Sequence, residues 1–236
     1  MSDQDYAVLP RGVSQEEFGQ AIDKFRALLG EDNVLVDPSQ LVPYNKIMMS
    51  VENAAHAPSA ALTATTVEQI QGILEICNEH RVPLWTISTG RNFGYGSAAP
   101  VQRGQVILDL KKMNRILKVD PEMCYALVEP GVTFQQLYDY INENDLNLML
   151  SFSAPSAIAG PLGNTMDRGV GYTPYGEHFM MQCGMEVVLA NGDVYRTGMG
   201  GVPGSNTWQI FKWGYGPTLD GMFTQSNYGI TTKMGF

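Results

Sequence analysis

Ser88-Thr89-Gly90-Arg91-Asn92-Phe93-Gly94-Tyr95-Gly96 places three glycines within seven residues, directly after the apolar run Leu84-Trp85-Thr86-Ile87. Glycine tolerates positive φ and carries no Cβ, so successive backbone N–H groups of such a loop can converge on one point. A concavity of that kind favours an anion, typically a phosphate or pyrophosphate. The chain continues through Ser97-Ala98-Ala99-Pro100 toward another strand, not into a helix. The P-loop and the GxGxxG dinucleotide fold both need a helix opening straight after the glycines. The spacing therefore predicts a nucleotide-phosphate loop of another kind. A tight turn between strands would use the same glycines, so the loop alone does not decide.

A second constellation runs from Ser153 to Gly169. Small residues fill 153–163, and Gly160, Gly163 and Gly169 allow close backbone approach. Asn164, Thr165, Asp167 and Arg168 add polar groups suited to a heterocycle edge or a ribose. A surface Ω-loop would be more polar, which favours a ligand-lining segment. The third is Gly171-Tyr172-Thr173-Pro174-Tyr175-Gly176. Tyr172 and Tyr95, each set among glycines, are expected to aim their hydroxyls into a shared cavity; the plainer alternative is two aromatic core anchors. A phenol can orient a substrate oxygen, but with a pKa near ~10 it is no base at neutral pH. Glu177 and His178 are adjacent and point apart, so they read as structural. His56 reads as a satisfied loop histidine, the alternative being contact with a reduced cofactor. No Ser–His–Asp, HExxH or CxxC pattern supports hydrolase or metal chemistry. Cys77, Cys124 and Cys183 read as small buried hydrophobes.

The elements that must position these groups are legible in part. Ser14 and Glu17 form a capping box for a helix over 14–29 with Phe18, Ile22, Phe25 and Leu28 on one face, ended by Gly30. Asn33–Tyr44 reads as an arm, and 45–60 as loop. Leu62–Thr65, a helix capped by Thr66 through Gln69, and Val82–Ile87 form a βαβ unit whose strands are expected to be parallel neighbours. The helix face is Ile70, Ile73, Leu74 and Cys77. Gln105–Leu110 supplies a third strand. Ile116–Val119 and Tyr125–Glu129 form a hairpin, and Pro130-Gly131 turns the chain. Thr133 with Gln136 caps a helix bearing Phe134, Leu137, Tyr138 and Ile141. Leu146–Phe152 is extended, Asn191-Gly192 signals a type I′ hairpin, and Tyr228–Met234 closes with a strand. The fold class is α+β: a small βαβ lobe (about 55–113) and a mostly antiparallel lobe (about 114–236), with a cleft between them and an N-terminal helix and arm over 1–54.

A length of 236 residues suffices for a buried core. The net charge of −9 repels a phosphate backbone, which argues against nucleic acid as a partner. No apolar run approaches the ~18 residues of a membrane span. The start, MSDQDYAVLP, shows no apolar signal-peptide region.

STGRNFGYGSAAP (88–100), VEPGVT (128–133), GNTMDRGVGYTPYG (163–176) and GMEVVLANGDVYRTGMG (184–200) together resemble the vanillyl-alcohol oxidase/p-cresol methylhydroxylase flavoprotein family, in the same order and over essentially the whole chain. The resemblance implies an FAD-binding domain of two α+β subdomains, without the cap domain that covers the substrate. It implies that Ser88, Thr89, Gly90, Arg91, Asn92 and Gly94 hold the FAD pyrophosphate. Pro130, Gly131, Gly160, Gly163, Asn164, Asp167, Arg168, Gly169, Tyr228, Gly229 and Ile230 would border adenine, ribose or flavin. Tyr95 matches a tyrosine that binds a phenolic substrate oxygen, and Tyr172 a second active-site tyrosine.

The chemistry so implied is dehydrogenation and hydroxylation of 4-alkylphenols such as 4-cresol through a quinone methide. Donors on the phenolic oxygen stabilise the charge that moves there. Oxidases of the family carry an aspartate shortly after a proline in the segment matching 153–163; here Pro155 is followed by Ser156, which fits the cytochrome-linked branch. Electrons would then pass to a c-type cytochrome subunit, which implies a periplasmic setting, and the complete flavoprotein would be a homo-oligomer. Lacking the cap and the covalent flavin anchor, the isolated chain is expected to turn over little or not at all. A non-catalytic flavin-binding or assembly module is the alternative. An NAD-dependent dehydrogenase lacks its GxGxxG–helix unit.

Overall fold

Ser14 starts the first helix in the manner its spacing predicts. Its hydroxyl accepts from the Glu17 amide at 3.2 Å, and the Glu17 carboxylate accepts from the Ser14 amide at 3.1 Å. The computed structural model describes residues 5–94, 96–153, 156–214 and 216–236. Two compact units divide the chain, one ending at Lys112 and the other running Met113–Phe236.

The first unit contains α1 (Gln15–Leu29), β1 (Val34–Leu35), α2 (Pro38–Leu41), β2 (Ala60–Thr63), α3 (Val67–His80), β3 (Leu84–Ile87) and β4 (Val106–Asp109). Phe18, Ala21, Ile22 and Phe25 of α1 are fully buried, and α1 lies against α3. A Cβ at Gly72, mid-way along α3, would sit 2.8 Å from Leu28 Cδ2. The glycine thus gives up about 1 kcal/mol of helix propensity and makes room for that leucine.

Two expectations fail in this unit. Asn33–Tyr44 is not an arm. Val34 and Leu35 pair antiparallel with Leu62 and Ala61. Leu41 and Tyr44 are buried against Ala61 and Ile107. Pro38 is the first residue of α2, capped by Asp37, and Pro43 sits in a 3-10 turn, so the prolines start turns of helix and do not break the core. Nor are β2 and β3 neighbours. The sheet order is β1-β2-β4-β3, with β4 parallel to both flanking strands. All four β4 residues are buried, which suits the centre; β3 leaves Thr86 exposed, which suits an edge. Among the described residues the return from β3 to β4 contains no helix, and its last residues are sewn to 57–59. The Gly104 amide donates to Ala57 O at 2.9 Å, the Ser59 amide to Gln105 O at 3.2 Å and the Ser59 hydroxyl to Gly104 O at 2.8 Å.

The second unit contains β5 (Ile116–Asp120), β6 (Tyr125–Val128), α4 (Phe134–Glu143), α5 (Pro161–Met166), α6 (His178–Met181), β7 (Met185–Leu189), β8 (Val194–Arg196), α7 (Asp220–Phe223) and β9 (Gly229–Gly235). Its sheet, in the order β5-β6-β9-β7-β8, is antiparallel throughout. The fold class is α+β. Thr133 and Gln136 close the expected capping box on α4.

The β7–β8 turn is not type I′. The Gly192 amide donates to Leu189 O at 2.8 Å, Gly192 lies at φ +87°, and Asn191 stays out of the left-handed region. This is the three-residue solution, a type I turn closed by a left-handed glycine. Leu146–Phe152 joins neither sheet. Cys77 is buried and Cys183 half-buried, but Cys124 is exposed in the β5–β6 turn at φ +54°. A turn position cannot bury a thiol that its neighbours do not cover.

Glu186 of β7 is 1 % exposed. Lys233 Nζ donates to its Oε1 at 2.6 Å, and Arg196 Nε to its Oε2 at 2.8 Å. Burial pushes this carboxyl up, but the hydrogen bonds from Lys233 and Arg196 outweigh burial and hold it below its ordinary value. A depressed carboxylate contributes stability that is complete above the unfolded-state value of about 4.5 and is lost as pH falls through the lowered folded value. Urea midpoints of the wild type should fall on acidification from about pH 6 to about pH 3, and Glu186→Gln should flatten that slope. A slope unchanged in the variant would show that other carboxylates carry it.

Candidate functional site

In the first unit, β3 ends at Ile87 and delivers the glycine loop. The Ser88 hydroxyl accepts from the Thr89 amide at 2.6 Å. Gly90 follows at φ +67°, and a Cβ there would lie 3.0 Å from Ala98 Cβ and 3.2 Å from Ile87 Cδ1. The loop is closed internally by the Ser97 amide on Asn92 O at 2.6 Å and the Ala99 amide on Gly96 O at 3.1 Å. The amides of Gly90, Arg91 and Gly94 have no acceptor among the described residues. Those three donors come from consecutive or near-consecutive residues, Arg91 is exposed beside them, and no carboxylate occurs between Glu79 and Asp109. Such a donor set fits a phosphate or pyrophosphate. Tyr95 lies outside the described residues, as do Ala154 and Pro155.

In the second unit, Gly160 caps α5 and Pro161 is its first residue, so the small-residue segment runs into a short helix at its end. Gly163, Asn164 and Asp167 are half-buried along it, and Arg168 follows at φ +53°. Arg168 Nε donates to Thr224 Oγ1 at 3.2 Å, and its guanidinium lies 4.3 Å from the Phe179 ring centroid. The Gln225 amide bonds Met166 O at 2.9 Å, which ties α5 to the segment leading into β9.

Two expected contact residues have structural reasons of their own. A Cβ at Gly169 would lie 2.1 Å from Asn164 Nδ2, and one at Gly229 would lie 2.4 Å from Val187 Cγ1. Ile230 is buried, paired with Val188, while Tyr228 is exposed. Gly131 donates its amide to Met113 O at 2.7 Å, so with Pro130 it offers shape and carbonyls, not donors. Tyr172 stands on a turn closed by the Gly171 amide on Gly176 O at 2.8 Å and is 88 % exposed, so the described residues do not enclose it.

A partly buried polar chain crosses the same region, and residue spacing alone shows little sign of it. His178 is 8 % exposed, whereas the adjacent Glu177 is exposed, so the two point apart. His178 Nδ1 meets Asn164 Oδ1, and Nε2 meets Ser151 Oγ at 3.1 Å. The Thr173 hydroxyl donates to Ser151 Oγ at 2.8 Å. Burial lowers the His178 pKa, against the opposing pull of Glu177. The one available signal was a histidine preceded by the glycine-flanked turn 171–176, which must pack closely against something. Among the described residues no group of acidic, cysteine or histidine side chains could hold a metal ion, and no helix is long and apolar enough to cross a membrane.

The family model described as "FAD binding domain" matches residues 58–198. The chain is 85% identical over 236 residues to the 4-cresol dehydrogenase [hydroxylating] flavoprotein subunit of Pseudomonas putida, covering all of this chain and 45% of that protein. The crystal structure of p-cresol methylhydroxylase with substrate bound superposes with a TM-score of 0.96 at 86% identity, covering 98% of this chain and 45% of the other. The 4-ethylphenol oxidase from Gulosibacter chungangensis, in its isoeugenol complex, gives a TM-score of 0.94 at 42% identity, covering 97% and 44%. The chain thus spans under half the length of these relatives.

Proposed function

This chain belongs to the family of FAD-binding domains, and from that premise we propose that it is the FAD-binding part of a 4-alkylphenol dehydrogenase that hydroxylates its substrate. FAD is its cofactor. The observation that carries the substrate class is the 85% identity across the whole chain to a 4-cresol dehydrogenase flavoprotein subunit.

In the first unit, the amides of Gly90, Arg91 and Gly94, with Ser88, Thr89 and Asn92 around them, would hold the pyrophosphate. Arg91 would add a positive charge to the same anion. In the second unit, Gly160, Gly163, Asn164, Asp167, Arg168 and Gly169 would border the remainder of the cofactor. Pro130, Gly131, Tyr228, Gly229 and Ile230 would supply walls. Bound FAD would supply a two-electron oxidant for the alkyl carbon attached para to the phenolic hydroxyl.

Tyr95 would orient the phenolic oxygen, and Tyr172 would contribute a second hydroxyl. Neither acts as a base; a hydroxyl donor on that oxygen would stabilise the phenolate from which hydride leaves, and the charge that returns to the oxygen when water adds to the quinone methide. Electrons would leave to a c-type cytochrome. Two observations support that route: Ser156 stands where an oxidase would place its aspartate, and the related protein is named as one subunit of an assembly.

The test is the visible spectrum of the purified chain after incubation with FAD and desalting. A retained, structured flavin band is the expected result. A colourless protein whose circular dichroism shows it folded would overturn the assignment of cofactor binding to this chain.

A further inference from the structure

We propose that His178 is a positioning residue for the cofactor, a buried clamp that sets the backbone of 164–171 through Asn164 and Ser151. The proposal rests on the FAD reading above.

Four side chains from separate segments meet in this clamp: Ser151 in the stretch after α4, Asn164 on α5, Thr173 on the turn and His178 on α6. The proton order follows from the donors. Asn164 Oδ1 can only accept, so Nδ1 carries the hydrogen that goes to it. In the neutral ring Nε2 is then an acceptor, and Ser151, which accepts from Thr173, gives its own hydrogen to it. The neutral tautomer with hydrogen on Nε2 would set two acceptors, Nδ1 and Asn164 Oδ1, against each other.

The clamp bears directly on the backbone of the segment expected to face the cofactor. A Cβ at Gly171 would stand 2.7 Å from Ser151 Oγ and 2.9 Å from His178 Nε2, so the main chain at 171 rests on the Ser151–His178 bond. At the other end, the Asn164 amide rests on Gly169 in the same way. Both glycines are held by a chain whose centre is the imidazole. Asn164 itself is committed to His178 through Oδ1, and acts on the cofactor by fixing the chain around it.

The groups packed on the ring are the Phe134 ring of α4, 6.4 Å away between centroids, with Ser151, Asn164, Gly171 and Thr173, none of which titrates between pH 4 and 8. Glu177, next in the chain, is the charged group that acts on it. Burial disfavours the imidazolium, so protonation sets in below the ordinary histidine value of 6.5. Adding a proton to Nε2 turns the acceptor into a donor and breaks the order of the chain.

The experiment is a titration of FAD into the chain from about pH 5 to about pH 8, for the wild type, His178→Gln, His178→Ala and Ser151→Ala, with nitrogen-15 spectra of the wild-type imidazole. The ring should show its hydrogen on Nδ1 at neutral pH. Wild-type affinity should weaken as pH falls below the ordinary histidine value. Both His178 variants should bind FAD about tenfold more weakly at neutral pH and lose that pH dependence. Ser151→Ala keeps the imidazole and should retain part of the affinity, which guards against a His178 variant that merely fails to fold. Variants that bind like the wild type with an unchanged pH profile, or a ring with its hydrogen on Nε2, would overturn the clamp while leaving the FAD reading intact. A wild type that binds no FAD at any pH would take down both.

Discussion

Gly90→Val should abolish FAD retention while leaving the first unit folded. Gly90 sits at φ +67°, where an L-residue costs roughly 1–2 kcal/mol and a β-branched one more. A valine Cβ would also stand 3.0 Å from Ala98 Cβ and 3.2 Å from Ile87 Cδ1, so the loop must shift to admit it. The amides of Gly90 and Arg91 move with that shift, and convergent donors lose an anion when one of them turns away. Gly94→Ala is the matched control. Gly94 is not in the left-handed region, and a Cβ there meets nothing nearer than Asn92 Oδ1 at 4.0 Å. Flavin absorbance after desalting should vanish for Gly90→Val and survive for Gly94→Ala, with urea midpoints within about 1–3 kcal/mol of wild type for both. Equal retention by the two variants would show that loop shape does not hold the cofactor.

Phe25→Ala should cost about 3–5 kcal/mol, the loss expected on emptying a fully buried aromatic site. Phe25 is fully buried on the α1 face with Phe18, Ala21 and Ile22, and α1 lies on α3, whose Gly72 admits the tip of Leu28. Helices held that closely do not collapse into a cavity, so the variant should sit toward the upper end. Hydrogen exchange is the appropriate measure, because it separates the units. Amides of α3, β2 and β4 should lose protection while those of β7 and β9 keep theirs. Loss confined to α1 would instead show that the N-terminal helix unfolds independently of the sheet.

How much of this could be read from residues alone divides along physical lines. Most local rules held: the capping boxes at Ser14 and Thr133, the glycine at 30 and the β5–β6 hairpin formed, whereas Asn191-Gly192 made a three-residue turn and Tyr138, expected on the apolar face of α4, is exposed. Expectations failed where a distant partner decided. Nothing near β2 or β3 could reveal that β4 would come between them, because strand order is settled by which strand is buried on both faces. Prolines 38 and 43 suggested an arm, since a helix-starting proline and a loop proline look alike without the Asp37 cap and the pocket for Tyr44. At the site, the glycine loop was legible because its three glycines fall within seven residues. The clamp around His178 was not, because Ser151, Asn164 and Thr173 reach it from separate segments.

The strand order of the first unit carries one more implication. β3 and β4 are adjacent and parallel, Leu84 opposite Val106 and Ile87 opposite Asp109, so the chain must travel back along the strand before it can pair. A helix ordinarily makes such a return. Here residues 88–105 make it, and the amides of Gly90, Arg91 and Gly94, which we propose hold the pyrophosphate, are the first part of that path. The sheet is therefore ordered out of sequence: β4, the last of its strands in the chain, lies between β2 and β3, and its pairing with β3 requires this span to close, at an entropic cost that grows slowly with length but steeply when the span is too short. Shortening the loop would withhold the central strand as well as the ligand. The proposed cofactor loop and the closure of the sheet thus share one stretch of chain, which is constrained in its length as well as at Gly90.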